Sequence, residues 1–500
     1  MITRSILFLL VLMAFAFSQN SNDYEINLKQ SLDLVFNFKF NEAENHFSEL
    51  SKLNNNDARP FLYLSNIYVW KYIGDKQKSD FEKFESLSKK TIDKAEEILK
   101  SNKNDRWAYF CLSSVYGYRA LMFFMNRQYI DGLWAAQKSI SWTNDLIELD
   151  PKFYDGYLWR GLFYFSLHQV PSSLKSFLSI VGLSGDIKQG LRDVQLVASR
   201  GNFAKVEAMY FLSQFYSGSL NENQKAFDLL NELASKYPKN ELFTYSAAVE
   251  LMKLHRIDEA KHYLQKIISN NSVEISAVKE LSYFLMGDCN FFQNNFPEAI
   301  SNYNLFVSKY NQNQYKPTAH FRNAVSYYFL NNREKAKKNF ESSISIDSKL
   351  SEDKFHSRYA KKILNSNFDE AILKIFYAWN FLRSGQFKTS ITQLDEILKS
   401  NLDDDKRIVA TYLKGLNYYK LNDTVNAKKF LREAVQINSK EEVWAKAFAY
   451  LYLARIEFNQ KNLSLAENYI SKIFNLDDFD FESSVKSQAK NLQERIKNNF

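Results

Sequence analysis

Glycine and proline supply only 19 of the 500 residues, 13 and 6 respectively. That is well under half of the roughly 12% carried by ordinary chains, so folds built on frequent tight turns are disfavoured and long helices are favoured. With 45% apolar residues the chain is too hydrophobic to be disordered. Its 65 basic and 57 acidic residues, net +8, are interspersed, and runs such as "REKAKK" from Arg333 read as solvated helix faces rather than a nucleic-acid stripe.

The first residues, "MITRSILFLLVLMAFAFSQN", place Arg4 ahead of an apolar run from Ile6 to Phe17. The run is shorter than the roughly 20 residues that a membrane-spanning helix needs, and it suits a signal peptide over residues 1–18. Ala16 and Ser18 stand where the small residues of a cleavage site belong, which leaves Gln19 as the new N-terminus. The prediction is export, to the periplasm or out of the cell; an uncleaved N-terminal anchor is the less favoured reading. Two cysteines, Cys111 and Cys289, make no disulfide framework and are expected to be unpaired packing residues.

Residues 19–205 read as an irregular helical region, with helix patterns at "KFNEAENHFSEL" from Lys39, "AYFCLSSVYGY" from Ala108 and "YLWRGLFYF" from Tyr157. The glycine cluster "VGLSGDIKQG", residues 181–190, invites comparison with a phosphate-cradling loop. A helical pattern precedes it and no Gly-Lys-Ser/Thr follows, so Gly182 and Gly185 are predicted to make a turn and Asp186 to cap the next helix.

Residues 206–480 carry a repeat. Small residues Ser213, Ala248, Gly287, Ala324, Ala378, Gly415 and Ala454 recur at one place, and Ala226, Ala260, Ala299, Ala336, Ser390, Ala427 and Ala466 twelve or thirteen residues later. The intervals of the second set are 34, 39, 37, 54, 37 and 39 residues. The long one has room for an additional helix near residues 352–366. Small residues at a fixed place let two helices cross closely, and Leu230, Leu264, Tyr303, Phe340, Leu431 and Ile470 fill the space between them. Pro238 ends one repeat, and Pro297 fits the first turn of a second helix. Val485, Ala489, Leu492 and Ile496 form one stripe in residues 481–500, as a C-terminal capping helix requires, with Asp480 at the N-cap place.

This pattern resembles the tetratricopeptide repeat, which implies an all-α fold, a right-handed α-solenoid of helix-turn-helix repeats. Two further stretches resemble the tetratricopeptide repeat protein 39 family: Gly161 to Leu191 with its Gly-x-x-Gly-Asp turn, and "EDKFHSRYAKKILNS" followed by "ILKIFYAWNF". Phe381 departs from the family's glycine after Trp-Asn, and Pro171 stands where the family carries two prolines. The resemblance implies a non-enzymatic binding protein. Fungal members of that family are linked to lipid droplets and to clearance of cytosolic inclusions.

In such repeats the concave face is lined by fixed places of the first helix, here Tyr245, Phe284, Phe291, Phe321, Tyr328, Trp379, Tyr412 and Tyr419, with Tyr210, Met252 and Phe458 beside them. These aromatics predict a groove that holds a protein or peptide partner through apolar contacts. The alternative is a lipid or other apolar small molecule; packing of the aromatics against neighbouring repeats, or against an N-terminal helix, is the non-functional reading. Membrane contact is not predicted.

No chemistry is predicted. The six histidines, His46, His168, His255, His262, His320 and His356, show no zinc spacing and read as surface or boundary residues. The acidic run Asp477, Asp478, Asp480, Glu482 lacks the alternation and glycine of a calcium loop and reads as helix capping. No nucleophile motif appears. The chain is therefore expected to need no cofactor and no metal, and to be no enzyme.

Overall fold

The computed structural model describes residues 23–167, 185–271 and 273–497. Among these every regular element is helical and none is a strand. The segment read as a signal peptide lies outside the described residues, as do His168, Pro171 and Gly182. The chain divides into two compact units. One comprises Met1–Tyr216, Lys225–Thr244 and Glu274–Ser276; the other comprises Ser217–Gln224, Tyr245–Val273 and Ala277–Phe500.

The first unit runs through α1 (23–36), α2 (Phe40–Leu53), α3 (Arg59–Asp75), α4 (Lys78–Ser101), α5 (Arg106–Met125), α6 (Tyr129–Leu149), α7 (Leu158–Ser166), α8 (Ile187–Arg200), α9 (Lys205–Gly218), which belongs to it up to Tyr216, and α10 (Asn223–Lys236), which belongs to it from Lys225 on. Helix α5 is apolar around almost its whole circumference and is buried accordingly, with Phe110, Cys111, Leu112 and Val115 among its core residues. The N-terminal helix is tied in by residues far away in sequence. Tyr237 Oη donates to Asp33 at 2.7 Å, Asn240 Nδ2 donates to the Phe36 carbonyl at 2.9 Å, and Phe36 meets the buried Trp70 edge-on.

Helices α7 and α8 explain one glycine of the cluster at 181–190. A Cβ on Gly190 would stand 2.4 Å from the Phe165 nitrogen and 2.7 Å from the Gly161 carbonyl, so the two helices cross backbone to backbone. Asp186 caps α8, its carboxylate accepting from the Gln189 N–H at 2.9 Å.

The second unit continues with α11 (Glu241–Lys253), which belongs to it from Tyr245 on. It then runs through α12 (Ile257–Ser269), α13 (Ser276–Phe292), α14 (Phe296–Lys309), α15 (Lys316–Phe329), α16 (Arg333–Ser345), α17 (Ser351–Asn365), α18 (Glu370–Arg383), α19 (Phe387–Leu398), α20 (Asp404–Lys420), α21 (Thr424–Gln436), α22 (Val443–Asn459), α23 (Leu463–Phe474) and α24 (Glu482–Lys497). The small residues sit at the helix crossings. A Cβ on Gly287 would meet the Tyr303 ring at 2.7 Å, and one on Gly415 would meet the Leu431 side chain at 2.9 Å and its backbone nitrogen at 3.0 Å. Ala248, Ala324, Ala378 and Ala454 are wholly buried.

Each first helix stops in the same way. His255, Asn294, Asn331, Gly385, Asn422 and Lys461 all have positive φ, and each lies seven positions after its repeat's small residue. The next N–H bonds back five residues, as from Arg256 to the Leu251 carbonyl and from Asn332 to the Tyr327 carbonyl, both at 2.8 Å. This is a Schellman stop, which favours glycine or asparagine at the left-handed position, and four of the six positions have one of them. Two residues later the second helix begins, with Pro297 in the first turn of α14.

Two expectations need correction. Asp480 does not cap α24: its carboxylate is taken by Arg358, 2.7 Å from Nη2, while Glu482 Oε2 accepts from the Asp478 N–H at 2.9 Å in the turn before the helix. His356 is no boundary residue but is buried, its ring 4.8 Å from that of Phe321 and its Nδ1 2.8 Å from the Glu352 carbonyl. Cys111 and Cys289 are buried and unpaired.

Candidate interaction face

The long interval in the repeat spacing is occupied by α17, which packs on α15 and α16. Its Asp353 is wholly buried and accepts from the N–H groups of Tyr315 and Thr318 and the hydroxyls of Thr318 and Ser348, so it holds the start of α15. One turn on, Arg358 donates both terminal nitrogens to Glu442, at 2.9 and 2.8 Å, and its Nε to Asp480 at 2.9 Å. Glu442 also accepts from Tyr359 Oη at 2.7 Å and Trp444 Nε1 at 2.5 Å. Burial would raise the Glu442 carboxyl, yet the Arg358 guanidinium and these donors hold it below its ordinary value.

Behind this network lies an aromatic cluster. Trp379 of α18 stacks on Trp444 of α22, centroids 5.6 Å apart and planes 6° from parallel. Phe355 of α17 meets both indoles edge-on, at 6.2 and 5.4 Å. Tyr412 of α20 meets Trp444 at 5.7 Å, and Tyr419, two turns further, meets Tyr452 at 5.0 Å. Burial and geometry therefore lock α17, α18, α20 and α22 together around paired rings.

The eight aromatics predicted to line the groove fall into two groups. Phe284, Phe291, Phe321 and Tyr412 are buried within the described chain. Phe284 packs on Phe306 at 5.2 Å, Phe291 on Phe296 at 6.2 Å, and Phe321 on Phe376 at 4.9 Å. The reason for Phe321 is the inserted helix, whose His356 lies against its ring. Tyr245, Tyr328, Trp379 and Tyr419 are half-buried. Tyr328 stacks on Phe368 at 5.9 Å. Beyond the groove, Tyr210 lies in the first unit against Trp70 at 5.5 Å.

A narrow cleft beside Trp379 is lined also by Tyr359, Lys362, Phe376, Asp405, Lys406 and Glu442. Its charges are already matched: Lys362 pairs with Glu441 at 2.9 Å and Asp405 at 3.5 Å, and Lys406 with Asp369 at 2.9 Å and Asp403 at 2.6 Å. Among the described residues no three His, Cys, Asp or Glu side chains gather to hold a metal ion, and no helix is long and apolar enough to cross a membrane. Sequence reasoning missed the Arg358–Glu442 pair, which spans 84 residues. It also missed the basic residues Arg383 and Lys420, although each stands five positions after its repeat's small residue.

Comparison with known proteins places these features. The Iml2/Tetratricopeptide repeat protein 39 family matches residues 156–421, and the tetratricopeptide repeat matches residues 410–441. No curated protein matches. The chain is similar to the crystal structure of yeast Tom70, with 15% identity, 96% of each chain covered and a TM-score of 0.24. It is also similar to a tetratricopeptide repeat protein from Parabacteroides merdae, with 13% identity, 58% of this chain and 98% of that one covered, and a TM-score of 0.25. For the human IFIT1 dimer with PPP-AAAA the values are 15%, 84%, 95% and 0.35.

Proposed function

Since the chain belongs to the Iml2/Tetratricopeptide repeat protein 39 family, we propose that it is an exported, non-enzymatic scaffold that binds a protein or peptide partner along the aromatic face of its second unit. The observation that carries this reading is the half-burial of Tyr245, Tyr328, Trp379 and Tyr419 at recurring places of four first helices, α11, α15, α18 and α20. Rigid aromatics contribute large contact area at small entropic cost, which is why such residues dominate binding hot spots. Repeat arrays of this class are in general interaction scaffolds, and the matched charges of the cleft beside Trp379 give no activated nucleophile or base. Export rests on residues 1–18, where the short apolar run behind Arg4 has the form of a cleaved signal.

Trp379→Ala with Tyr419→Ala tests the face. The partner that co-purifies with the intact protein from its native envelope is expected to lose at least about ten-fold in affinity, with the circular dichroism spectrum unchanged. Equal affinity of the double variant would refute the assignment. N-terminal sequencing of the protein recovered from its own cells tests export: a chain beginning at Gln19 is expected, and one retaining residues 1–18 would contradict a cleaved signal.

A further inference from the structure

Arg383 on α18, Lys420 on α20 and Arg455 on α22 of the second unit make no ion pair with any described residue, unlike Lys362 and Lys406 of the cleft beside Trp379. They are also close enough to act on one another. Burial first, then the charges of Arg455 and Arg383, push the Lys420 ammonium below its ordinary value. Burial and Lys420 likewise keep the His255 imidazole neutral, with its pKa lowered to about 4, while His255 Nδ1 lies 3.1 Å from the Arg383 carbonyl. A fourth cation, Arg495 on α24, is depressed by burial and by Arg455, with Glu222 as the acid opposing that shift.

These charges stand among the half-buried rings. The Arg383 guanidinium is 5.6 Å from the Trp379 ring, and that of Arg455 is 5.3 Å from the Tyr452 ring, itself in contact with Tyr419. Arg455 donates to Gln488 Oε1 at 2.8 Å, a neutral acceptor that leaves its charge uncompensated. Lys420 and Arg455 are half-buried and Arg383 is exposed beside them; neighbouring like charges that lack counter-ions repel one another until an anion completes them. Here they recur on three successive first helices. A row of that kind suits several carboxylates along an extended chain better than a single lipid headgroup, and three cations are few for a nucleic-acid backbone.

We infer that Arg383, Lys420 and Arg455, set among Trp379, Tyr419 and Tyr452, bind the carboxylate side chains of an acidic peptide segment whose apolar residues pack on the rings. This rests on the proposed scaffold function and specifies the partner's chemistry.

The test is selection of random 16-residue peptides displayed on phage against the immobilised full chain, repeated with Arg383→Gln plus Lys420→Gln and with Lys420→Glu. Peptides combining Asp or Glu with aromatic or aliphatic residues are expected. Their synthetic forms should bind the Gln double variant about ten-fold or more weakly and weaken with added salt. Lys420→Glu should shift the selection towards Lys- and Arg-bearing peptides, a change that simple loss of structure would not produce. Acidic peptides retained by the Gln variant, or displaced from the intact chain by dodecanoate at low concentration, would overturn the inference. Neutral peptides that depend on Trp379 would overturn it while leaving the scaffold reading in place, and an empty selection on folded protein would overturn both.

Discussion

Glu207 of α9 is buried without a cation against it. Tyr118 Oη donates to both of its oxygens, at 2.7 and 2.8 Å, and Asn66 Nδ2 donates at 2.8 Å. Burial outweighs these donors, with a smaller push from Asp155, and raises the carboxyl from 4.5 to about 7. The folded state therefore keeps a proton that the unfolded state has lost between about pH 4.5 and 7, so stability falls as pH rises through that window. Glu207→Gln removes the titration. Denaturant unfolding at pH 5 and pH 8 should show the parent losing up to about 3 kcal/mol more than the variant across that interval, the difference belonging to Glu207 because Glu241, His255 and His356 titrate alike in both chains. Equal changes in parent and variant would contradict this account. Residue-scale sequence reasoning reached what repeats, such as Gly415 at a helix crossing and Asp186 at a cap. It could not reach Glu207, whose partners Asn66 and Tyr118 lie 141 and 89 residues away.

Among the elements, α17 has the largest influence on the candidate site. It interrupts the repeat, covers Phe321 with His356 and brings Arg358 to Glu442. Removing Arg358 takes the bidentate cation from a buried carboxylate and leaves it only the Lys362 ammonium at 3.3 Å; breaking a buried pair costs about 3 to 5 kcal/mol where measured. Arg358→Ala is therefore expected to lose about 3 kcal/mol in urea unfolding, and Glu442→Gln in the same chain should recover much of that loss. Additive losses in the double variant would show that the two residues do not act together. The 54-residue interval made room for this helix legible. The pattern gave no sign of which aromatics the helix would cover, because the periodicity that places a ring on one face does not say what packs on that face. The Schellman stops were legible in principle, since Asn294, Asn331 and Asn422 stand at one repeating place before each second helix.

For the molecule as a whole, spacing and composition carried the fold class, because helix crossings at intervals near 37 residues demand small side chains wherever they occur. The division into two compact units left no comparable trace in the pattern, since helices continue on both sides of it. The aromatic face was half legible: Tyr245, Tyr328, Trp379 and Tyr419 are half-buried, while Phe284, Phe291, Phe321 and Tyr412 serve the core. A scaffold of this kind acts through where its partner sits. The most direct measurement is photo-crosslinking in the protein's own cells from a benzoylphenylalanine placed at Tyr419, compared with one at Val425, which is 80% exposed on the second helix of the same repeat. A partner trapped from position 419 and absent from position 425 is the predicted result. Equal trapping at both, or trapping from 425 alone, would contradict the assignment of the aromatic face as the binding surface.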